Sequence, residues 1–261
     1  MKRRTIGSAS ATRQGKKDYE KHILTRFVSN KTLLLPVMDV EESETPDFIV
    51  ESLDKKISIE LTRFITPELK QGEEFRTKIV EMAEQMFLEK YDCNLRVFVT
   101  FSEAPIKCKT NEIRRYAYEI VGVVEHVYQA NKEFEFKVSS RHSRRPFNWF
   151  IDTISINNNM PFSNWQTMGA YKVDRVDFNQ IVSIIERKQK NIIRYKQPFD
   201  ENWLVIVSSL GSKSSTFDFA FVSYDPFNTD FERIFVYEYT QDKVIEIDSK
   251  NGWKSPVVFS S

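Results

Sequence analysis

The chain has few of the features that mark disulfide-rich, zinc-binding or membrane proteins. Its 261 residues include two cysteines and seven glycines. Cys93 and Cys108 form no CxxC pair and lie at no zinc-ligand spacing from a histidine, which argues against a zinc site. The sequence has no apolar run long enough to span a bilayer and no hydrophobic signal segment after its basic N-terminus. We therefore expect a cytoplasmic protein with reduced thiols and no membrane span.

The chain also lacks an excess of charge of one sign. Its formal net charge is +1, so the whole composition gives no electrostatic argument for binding a polyanion. Any basic surface must be local, and one cluster consists of Arg141, His142, Arg144 and Arg145. This cluster is either a solvated loop or a group of guanidinium forks that bind phosphate. On the second interpretation Arg141, Arg144 and Arg145 are nucleic-acid contacts.

Composition and hydrophobic periodicity predict an α/β fold. Hydrophobic residues make up 41% and charged residues 29% of the chain, which is typical of a globular protein. Residues 1–15 lack apolar periodicity and predict a flexible basic tail, so the folded domain is expected to span 16–261. The predicted helices are 16–29, 68–91, 111–128 and 177–195, and the predicted strands or extended segments are 32–40, 46–51, 56–62, 95–101, 133–157, 203–208, 217–224, 233–239 and 243–247.

Two acidic residues are predicted to meet at one end of a β-hairpin. Asp47 opens the first strand of the hairpin, and Glu60 lies near the end of the second. Antiparallel pairing therefore brings their carboxylates together, where they repel each other unless a cation lies between them. Phosphodiester hydrolysis needs hard cations of this kind, and these cations prefer carboxylate oxygens. The pair thus predicts a divalent-metal site.

Pro46-Asp47, followed after a hydrophobic strand by Glu60-Leu61-Thr62, resembles the motif of the PD-(D/E)xK, or restriction-endonuclease-like, nuclease superfamily. The resemblance implies a hydrolase, an endonuclease that cleaves DNA with Mg²⁺ or Mn²⁺. It implies that Asp47 and Glu60 bind the metal and that the backbone carbonyl of Leu61 adds a ligand. The family motif has a lysine where this chain has Thr62.

The same resemblance implies a fold. A restriction-endonuclease-like core is a mixed sheet flanked by helices, with the element order α-β-β-β-α-β. Helix 16–29, the acidic hairpin, helix 177–195 and strand 203–208 follow this order if a helical and β insertion occupies residues 66–174. The expected organisation is therefore a single nuclease-like domain with an insertion.

Lys188 is the candidate for the missing catalytic lysine. At about 100° per residue it lies near the middle of an apolar stripe of the helix 177–195, whereas Lys190 points the other way. The stripe consists of Ile181, Ile184, Ile185, Ile192 and Tyr195. Burying a lysine on such a stripe is costly unless the ammonium finds a partner or reaches water. Lys188 is therefore either a migrated catalytic lysine or a residue whose aliphatic stem packs against the stripe.

Glu20 presents the same problem on the first helix. It shares a helical face with Ile23, Leu24 and Phe27, where a lone carboxylate is unfavourable. The resemblance suggests that Glu20 is an additional acidic residue near the metal. The alternative is a glutamate at the edge of the helix, with its stem packed and its carboxylate in water.

Two other functions fit the same sequence. The first is a catalytically inactive module of the same fold that binds nucleic acid or protein, and Thr62 in place of the motif lysine favours it. The second is a structural or regulatory protein whose acidic pair is a solvated hairpin face. On the nuclease interpretation the partner is nucleic acid, with DNA preferred, and the chain is either a monomer or a homodimer.

Overall fold

The computed structural model describes residues 13–102, 112–141, 151–169, 176–209, 212–219 and 222–253. Within this part, the protein is an α/β protein with mixed β-sheets flanked by helices. The chain divides into two compact units, unit 1 from Met1–Ile65 with Val173–Ser261 and unit 2 from Thr66–Lys172. None of the described helices is both long and apolar enough to cross a bilayer.

Unit 1 is built on a six-stranded mixed sheet. The elements of this unit are α1 (Arg13–Val28), β1 (Val37–Glu42), β2 (Phe48–Ser52), β3 (Lys56–Arg63), α4 (Phe178–Gln189), β8 (Glu201–Ser208), β9 (Arg233–Glu238) and β10 (Lys243–Ile247). The strand order is β1-β2-β3-β8-β9-β10. Strands β3, β8 and β9 run parallel, and the pairs β1/β2, β2/β3 and β9/β10 are antiparallel.

Both faces of this sheet are covered. Alternate side chains of β8 point to opposite faces, because successive residues of a strand do so. Trp203, Val205 and Val207 join a buried cluster with Ile23, Leu24 and Phe27 of α1. Leu204 and Ile206 join a second buried cluster, together with Ile181, Ile184 and Ile185 of α4. The apolar run 203–208 is therefore buried on both faces, as is typical of a nearly uninterrupted apolar strand.

Unit 2 is built on a four-stranded sheet. Its elements are α2 (Pro67–Leu88), β4 (Arg96–Phe101), α3 (Ile113–Asn131), β5 (Lys137–Arg141), β6 (Ile151–Asn157) and β7 (Asn164–Thr167). The strand order is β5-β6-β4-β7. The pairs β4/β6 and β5/β6 are antiparallel, and β4/β7 is parallel. Helices α2 and α3 pack together, and their buried residues form one cluster with alternate residues of the strands.

The structure differs from the predicted elements at several places. Helix α1 already includes Arg13–Gly15, which we expected in the tail, and residues 1–12 lie outside the described part. Helix α4 ends at Gln189 and is followed by a 3-10 turn at Ile192–Arg194, so 177–195 is not one continuous helix. Strand β7 was not predicted, because its sequence NWQT lacks a hydrophobic run.

The segment 217–224 was predicted as a strand and is not one in its described residues. Its aromatic residues instead fill the space beside α4. Phe217 packs on Phe64 with ring centroids 4.2 Å apart, and Tyr224 stacks on Phe178 at 4.1 Å. The backbone of Tyr224 forms an isolated antiparallel bridge with Trp253. Side-chain packing therefore decided the conformation against the β propensity of the aromatic residues.

Candidate functional site

The β2–β3 hairpin places Asp47 and Glu60 side by side. Phe48 at the start of β2 pairs with Ile59 of β3, so the preceding residue, Asp47, lies beside Glu60. Strand β3 continues beyond this point, and the backbone N–H of Leu61 donates a hydrogen bond to Oδ2 of Asp47 over 2.9 Å. Asp47 thus satisfies an amide that β2 no longer reaches, and this contact fixes its carboxylate.

The side chains of β3 alternate between the two faces of the sheet, and Glu60 lies on the face that α4 covers. Ile57, Ile59 and Leu61 belong to the cluster on the α1 side of the sheet, so Glu60 points to the other face. Its exposed fraction is 2%. An ionised carboxylate at that depth is unfavourable unless it has a cationic partner and several hydrogen bonds.

Lys188 of α4 supplies the cation. Its Nζ lies 2.8 Å from Oε2 of Glu60 and 3.1 Å from Oδ2 of Asp47, although 128 and 141 residues of sequence separate the partners. Lys188 lies one and two helical turns after Ile185 and Ile181, which anchor the same helix face in the core. The hairpin acids and the lysine chosen from helix periodicity therefore meet in one place.

Electrostatics favours the charged form of Lys188. Burial by itself lowers the pKa of the ammonium, but the charges of Asp47 and Glu60 and their hydrogen bonds outweigh it, so the net pKa of Lys188 is raised. Its side chain is 18% exposed, and that of Asp47 is 34% exposed. The cluster therefore holds the Lys188 ammonium between two acidic side chains and opens to solvent on the Asp47 side.

Asn191 and Tyr195 complete the environment of Glu60. Asn191 donates through Nδ2 to Oε2 of Glu60 over 3.2 Å, and the Tyr195 hydroxyl donates to Oε1 over 3.3 Å. Burial, with the nearby charge of Glu60, raises the pKa of Tyr195. The sequence interpretation missed both roles, since it assigned Tyr195 to the apolar stripe and did not consider Asn191. The polar groups of these residues were the available signal.

The carboxylate and carbonyl oxygens at this site are of the kind that binds a small divalent cation. Both carboxylates already converge on one positive charge, the Lys188 ammonium, which shows that their oxygens can share a cation. Leu61 directs its backbone N–H toward Asp47, and its carbonyl lies on the same side because the N–H and C=O of one strand residue point the same way. Mg²⁺ is commonly held by one or two carboxylates, with water and phosphate oxygens completing the octahedron. Asp47, Glu60 and the Leu61 carbonyl fit this pattern.

Glu20 does not join this arrangement. It lies on α1, which packs on the opposite face of the sheet from Glu60, and it forms an i, i+4 ion pair with Lys16 at 3.5 Å. Across the described ranges, no group of three or more His, Cys, Asp and Glu side chains is placed to hold a metal. Glu20 is therefore a helix-edge glutamate in this structure.

The basic cluster belongs to unit 2. Arg141 is the last residue of β5, and its backbone pairs with Thr153. Arg144 and Arg145 lie outside the described residues. The expectation that these three residues contact nucleic acid stays a prediction.

Comparison with protein-family models, with curated proteins and with solved structures gives no match to this chain. No relative therefore supplies a family or an activity. The fold of unit 1 and the geometry around Glu60 carry the functional argument.

Proposed function

We propose that unit 1 is a restriction-endonuclease-like domain that hydrolyses DNA phosphodiester bonds with Mg²⁺ or Mn²⁺. The observation that carries the proposal is the convergence of Asp47, Glu60 and Lys188 within hydrogen-bonding distance. Bringing two hairpin carboxylates together with a buried lysine from a helix distant in sequence costs desolvation free energy. Such groups cluster at functional sites, where charge must be held in a fixed geometry.

The topology of unit 1 supports the proposal. Its elements follow the order α1, β1, β2, β3, α4, β8, which is the α-β-β-β-α-β order of the resemblance, and unit 2 is inserted between β3 and α4. Helices α1 and α4 lie on opposite faces of the mixed sheet. The two acids and the lysine come from β2–β3 and α4, the central elements of that order.

Each residue of the site has a role in this proposal. Asp47, Glu60 and the carbonyl of Leu61 would hold the metal, which when bound polarises the phosphate and activates a water molecule. Thr62 occupies the position of the motif lysine, and Lys188 takes over the role of that lysine. Its ammonium stabilises the negative charge that develops on the phosphate. Its position on α4 rather than on β3 still brings Nζ to both carboxylates.

A specific observation also favours a second candidate, the nuclease-like binding module without catalysis. Lys188 engages one oxygen of each carboxylate directly. The charges of the cluster are thus satisfied by the chain itself, as they would be in a site that has lost its metal. Among the described residues, however, Oδ1 of Asp47 has no hydrogen-bond partner, so one ligand position is still available.

Cleavage of single- and double-stranded DNA by the purified chain with saturating Mg²⁺ tests the proposal. We expect Asp47→Asn to abolish cleavage and Lys188→Met to reduce turnover about a hundredfold or more, since one electrostatic donor at a transition state has this effect. The matched control is Glu51→Gln, which alters a half-exposed carboxylate of the same hairpin that pairs with Lys56. Its turnover should equal that of the parental chain.

Metal-dependent stabilisation separates the two candidates. A metal site raises the melting temperature as Mg²⁺ or Mn²⁺ is added, and Asp47→Asn should remove this shift. Parental cleavage by Asp47→Asn contradicts the nuclease proposal. DNA binding without cleavage and without a metal shift selects the binding module instead.

A further inference from the structure

The sheet of unit 2 has one face that its core does not use. On β4, Val97 and Val99 are buried in the cluster with α2 and α3, while Arg96 and Phe98 alternate with them and are partly exposed. Because successive strand residues point to opposite sides, Arg96 and Phe98 lie on the face away from the helices. We call this the polar sheet face and define it by Arg96, Phe98, Lys137, Ser155, Asn157 and Gln166, which the strand pairing places next to one another.

The polar sheet face carries two cationic side chains, Arg96 and Lys137. Arg96 and Lys137 form no ion pair within the described ranges, and Nε of Arg96 is buried with no hydrogen-bond partner there. The sequences of β4, β5, β6 and β7 contain one acidic residue, Asp152, at the shift of register between β4 and β6. A local excess of cations on a protein of net charge +1 favours a polyanionic partner at this face.

Phe98 provides a stacking surface at the centre of this face. Its ring takes no part in the hydrophobic cluster of unit 2. The guanidinium carbon of Arg96 lies 5.4 Å from the ring centroid, within the range of a cation–π contact. An aromatic ring beside a guanidinium offers a nucleobase a ring to stack on and offers its phosphate a cation.

The shape and chemistry of the face favour a single strand over a duplex or a protein. A sheet face has no helix that enters a major groove, and a base stacks on an aromatic side chain only after it leaves its own stack. Ser155, Asn157 and Gln166 present hydroxyl and amide groups that suit the edges of unpaired bases. Phe98 is the one apolar residue of the six, whereas the centre of a protein interface is predominantly apolar.

We infer that the polar sheet face of unit 2 binds single-stranded nucleic acid, with a base on Phe98 and phosphates on Arg96 and Lys137. The inference rests on the proposed function in naming this strand as the substrate of the nuclease. Binding itself requires neither the metal nor cleavage, so the two claims fail separately.

Fluorescence anisotropy with a labelled oligothymidine of about 10 nucleotides, a length comparable to known single-strand sites, tests the inference. The full chain is titrated in EDTA, which removes divalent cations and prevents cleavage. We expect Phe98→Ala to weaken binding about fivefold to a hundredfold, which corresponds to the loss of one stacked base. Lys137→Ala should lower the slope of log affinity against log salt by about 0.7, as expected for one phosphate contact on a single strand.

The chain offers a matched control pair. Arg114 and Tyr118 form a similar cation–aromatic contact of 5.7 Å, but they lie on α3, in the helical layer of the same unit. Arg114→Gln and Tyr118→Ala should bind the oligonucleotide as the parental chain does. Phe98→Tyr should retain most of the affinity, because a tyrosine ring still stacks, and this variant separates loss of stacking from loss of the fold.

The possible outcomes are distinct. Parental affinity in folded Phe98→Ala and Lys137→Ala overturns the inference, even if cleavage by unit 1 depends on Asp47. Equal loss of affinity in the α3 control pair also overturns it, since the effect would then not belong to this face. Loss of binding in the face variants without any cleavage by the parental chain supports the inference and refutes the proposed nuclease. Tighter binding of duplex than of single strand contradicts the assigned partner.

Discussion

The two units bury different chemistry. In unit 2, every buried residue of the described part belongs to one predominantly apolar cluster. The buried polar and charged residues of the described chain all lie in unit 1, namely Ser58, Glu60, Ser208, Ser214, Ser215 and Thr216. Unit 1 therefore buries a whole acidic side chain, whereas in the described part of unit 2 only parts of charged side chains are buried, such as Nε of Arg76 and Nε of Arg96. That difference supports the proposal that the Glu60 region is a functional site.

Two ion pairs make the comparison quantitative. Lys188 and Glu60 in unit 1 lie 2.8 Å apart, and Lys90 and Glu125 in unit 2 lie 2.7 Å apart. The distances are nearly equal, but Lys188 and Glu60 are 18% and 2% exposed, whereas Lys90 and Glu125 are 54% and 24% exposed. Breaking the Lys188–Glu60 pair should therefore lower the free energy of unfolding much more than breaking the Lys90–Glu125 pair. Water can replace the missing partner only in the more exposed Lys90–Glu125 pair.

The largest effect is expected from Lys188→Met. Without the ammonium, the buried Glu60 carboxylate loses its cation while Asp47 remains beside it. We expect the metal-free protein to lose about 3–5 kcal/mol of free energy of unfolding, the range for breaking a buried ion pair. Urea denaturation in EDTA measures this loss, and Lys90→Met should leave the denaturation curve almost unchanged.

Mg²⁺ should reverse part of this loss. Because the methionine leaves two adjacent carboxylates without a cation, a divalent ion binding between them should stabilise Lys188→Met more than the parental chain. Equal denaturation midpoints of Lys188→Met and Lys90→Met would remove the distinction between the two ion pairs. A Mg²⁺ response no larger than that of the parental chain would count against a metal at this site.

The next effect comes from removing both members of the buried pair. In Lys188→Met/Glu60→Leu neither buried charge of the pair remains, and apolar side chains of similar size fill the space. We expect this double variant to recover the roughly 3–5 kcal/mol that Lys188→Met loses, because replacing both members of a buried ion pair by apolar side chains is often neutral or stabilising relative to the intact pair. The corresponding double variant Lys90→Met/Glu125→Leu should show additive effects in the same denaturation experiment. A double variant as unstable as Lys188→Met would show that the cost is lost packing rather than unpaired charge.

The sequence predicted the parts of this site that depend on local pattern. Period-two alternation located the hairpin, and its pairing brought Asp47 beside Glu60. Helical periodicity located Lys188 as a charge on an apolar face, and burial of that face carries Nζ to the two carboxylates. In both cases a short-range repeat determined the direction in which a side chain points, so the contact followed from the sequence.

The sequence could not predict the parts that depend on how elements end or which face they cover. Tyr195 reaches Glu60 because α4 gives way to a 3-10 turn at Ile192–Arg194, whereas a continuous helix was expected. Glu20 shared the buried face of α1 by periodicity, but periodicity does not tell which side of a sheet a helix covers. Helix ends and layer assignments are set by tertiary packing, which overrides local propensity.

Tyr195→Phe should have a smaller effect than either change at Lys188. It removes one hydrogen bond to Oε1 of Glu60 and keeps the aromatic ring. We expect a loss of about 1–3 kcal/mol, since a buried charged acceptor is left without that donor. Tyr237→Phe is the control, because its partner Asp242 is 45% exposed and water can replace the hydroxyl. Equal losses in the two variants, measured by urea denaturation, would show that burial of Glu60 adds nothing to this hydrogen bond.

The smallest expected effect is a difference in stability at alkaline pH. The pKa of Lys188 is raised above its ordinary value of 10.5, so the folded protein holds this proton more tightly than the unfolded chain. The stabilisation from the ammonium is therefore complete below pH 10.5 and is lost as the pH rises through the higher folded pKa. Tyr195 acts in the same direction above its ordinary value of 10.0, because its folded pKa is also raised.

Other lysines and tyrosines titrate in this range, so the informative quantity is the difference between the parental chain and Lys188→Met in metal-free buffer. That difference in free energy of unfolding should be constant between pH 8 and pH 10 and should shrink above about pH 10.5, where the parental chain loses the charge that the variant already lacks. A difference that stays constant through this window would show that the Lys188 ammonium does not stabilise Glu60.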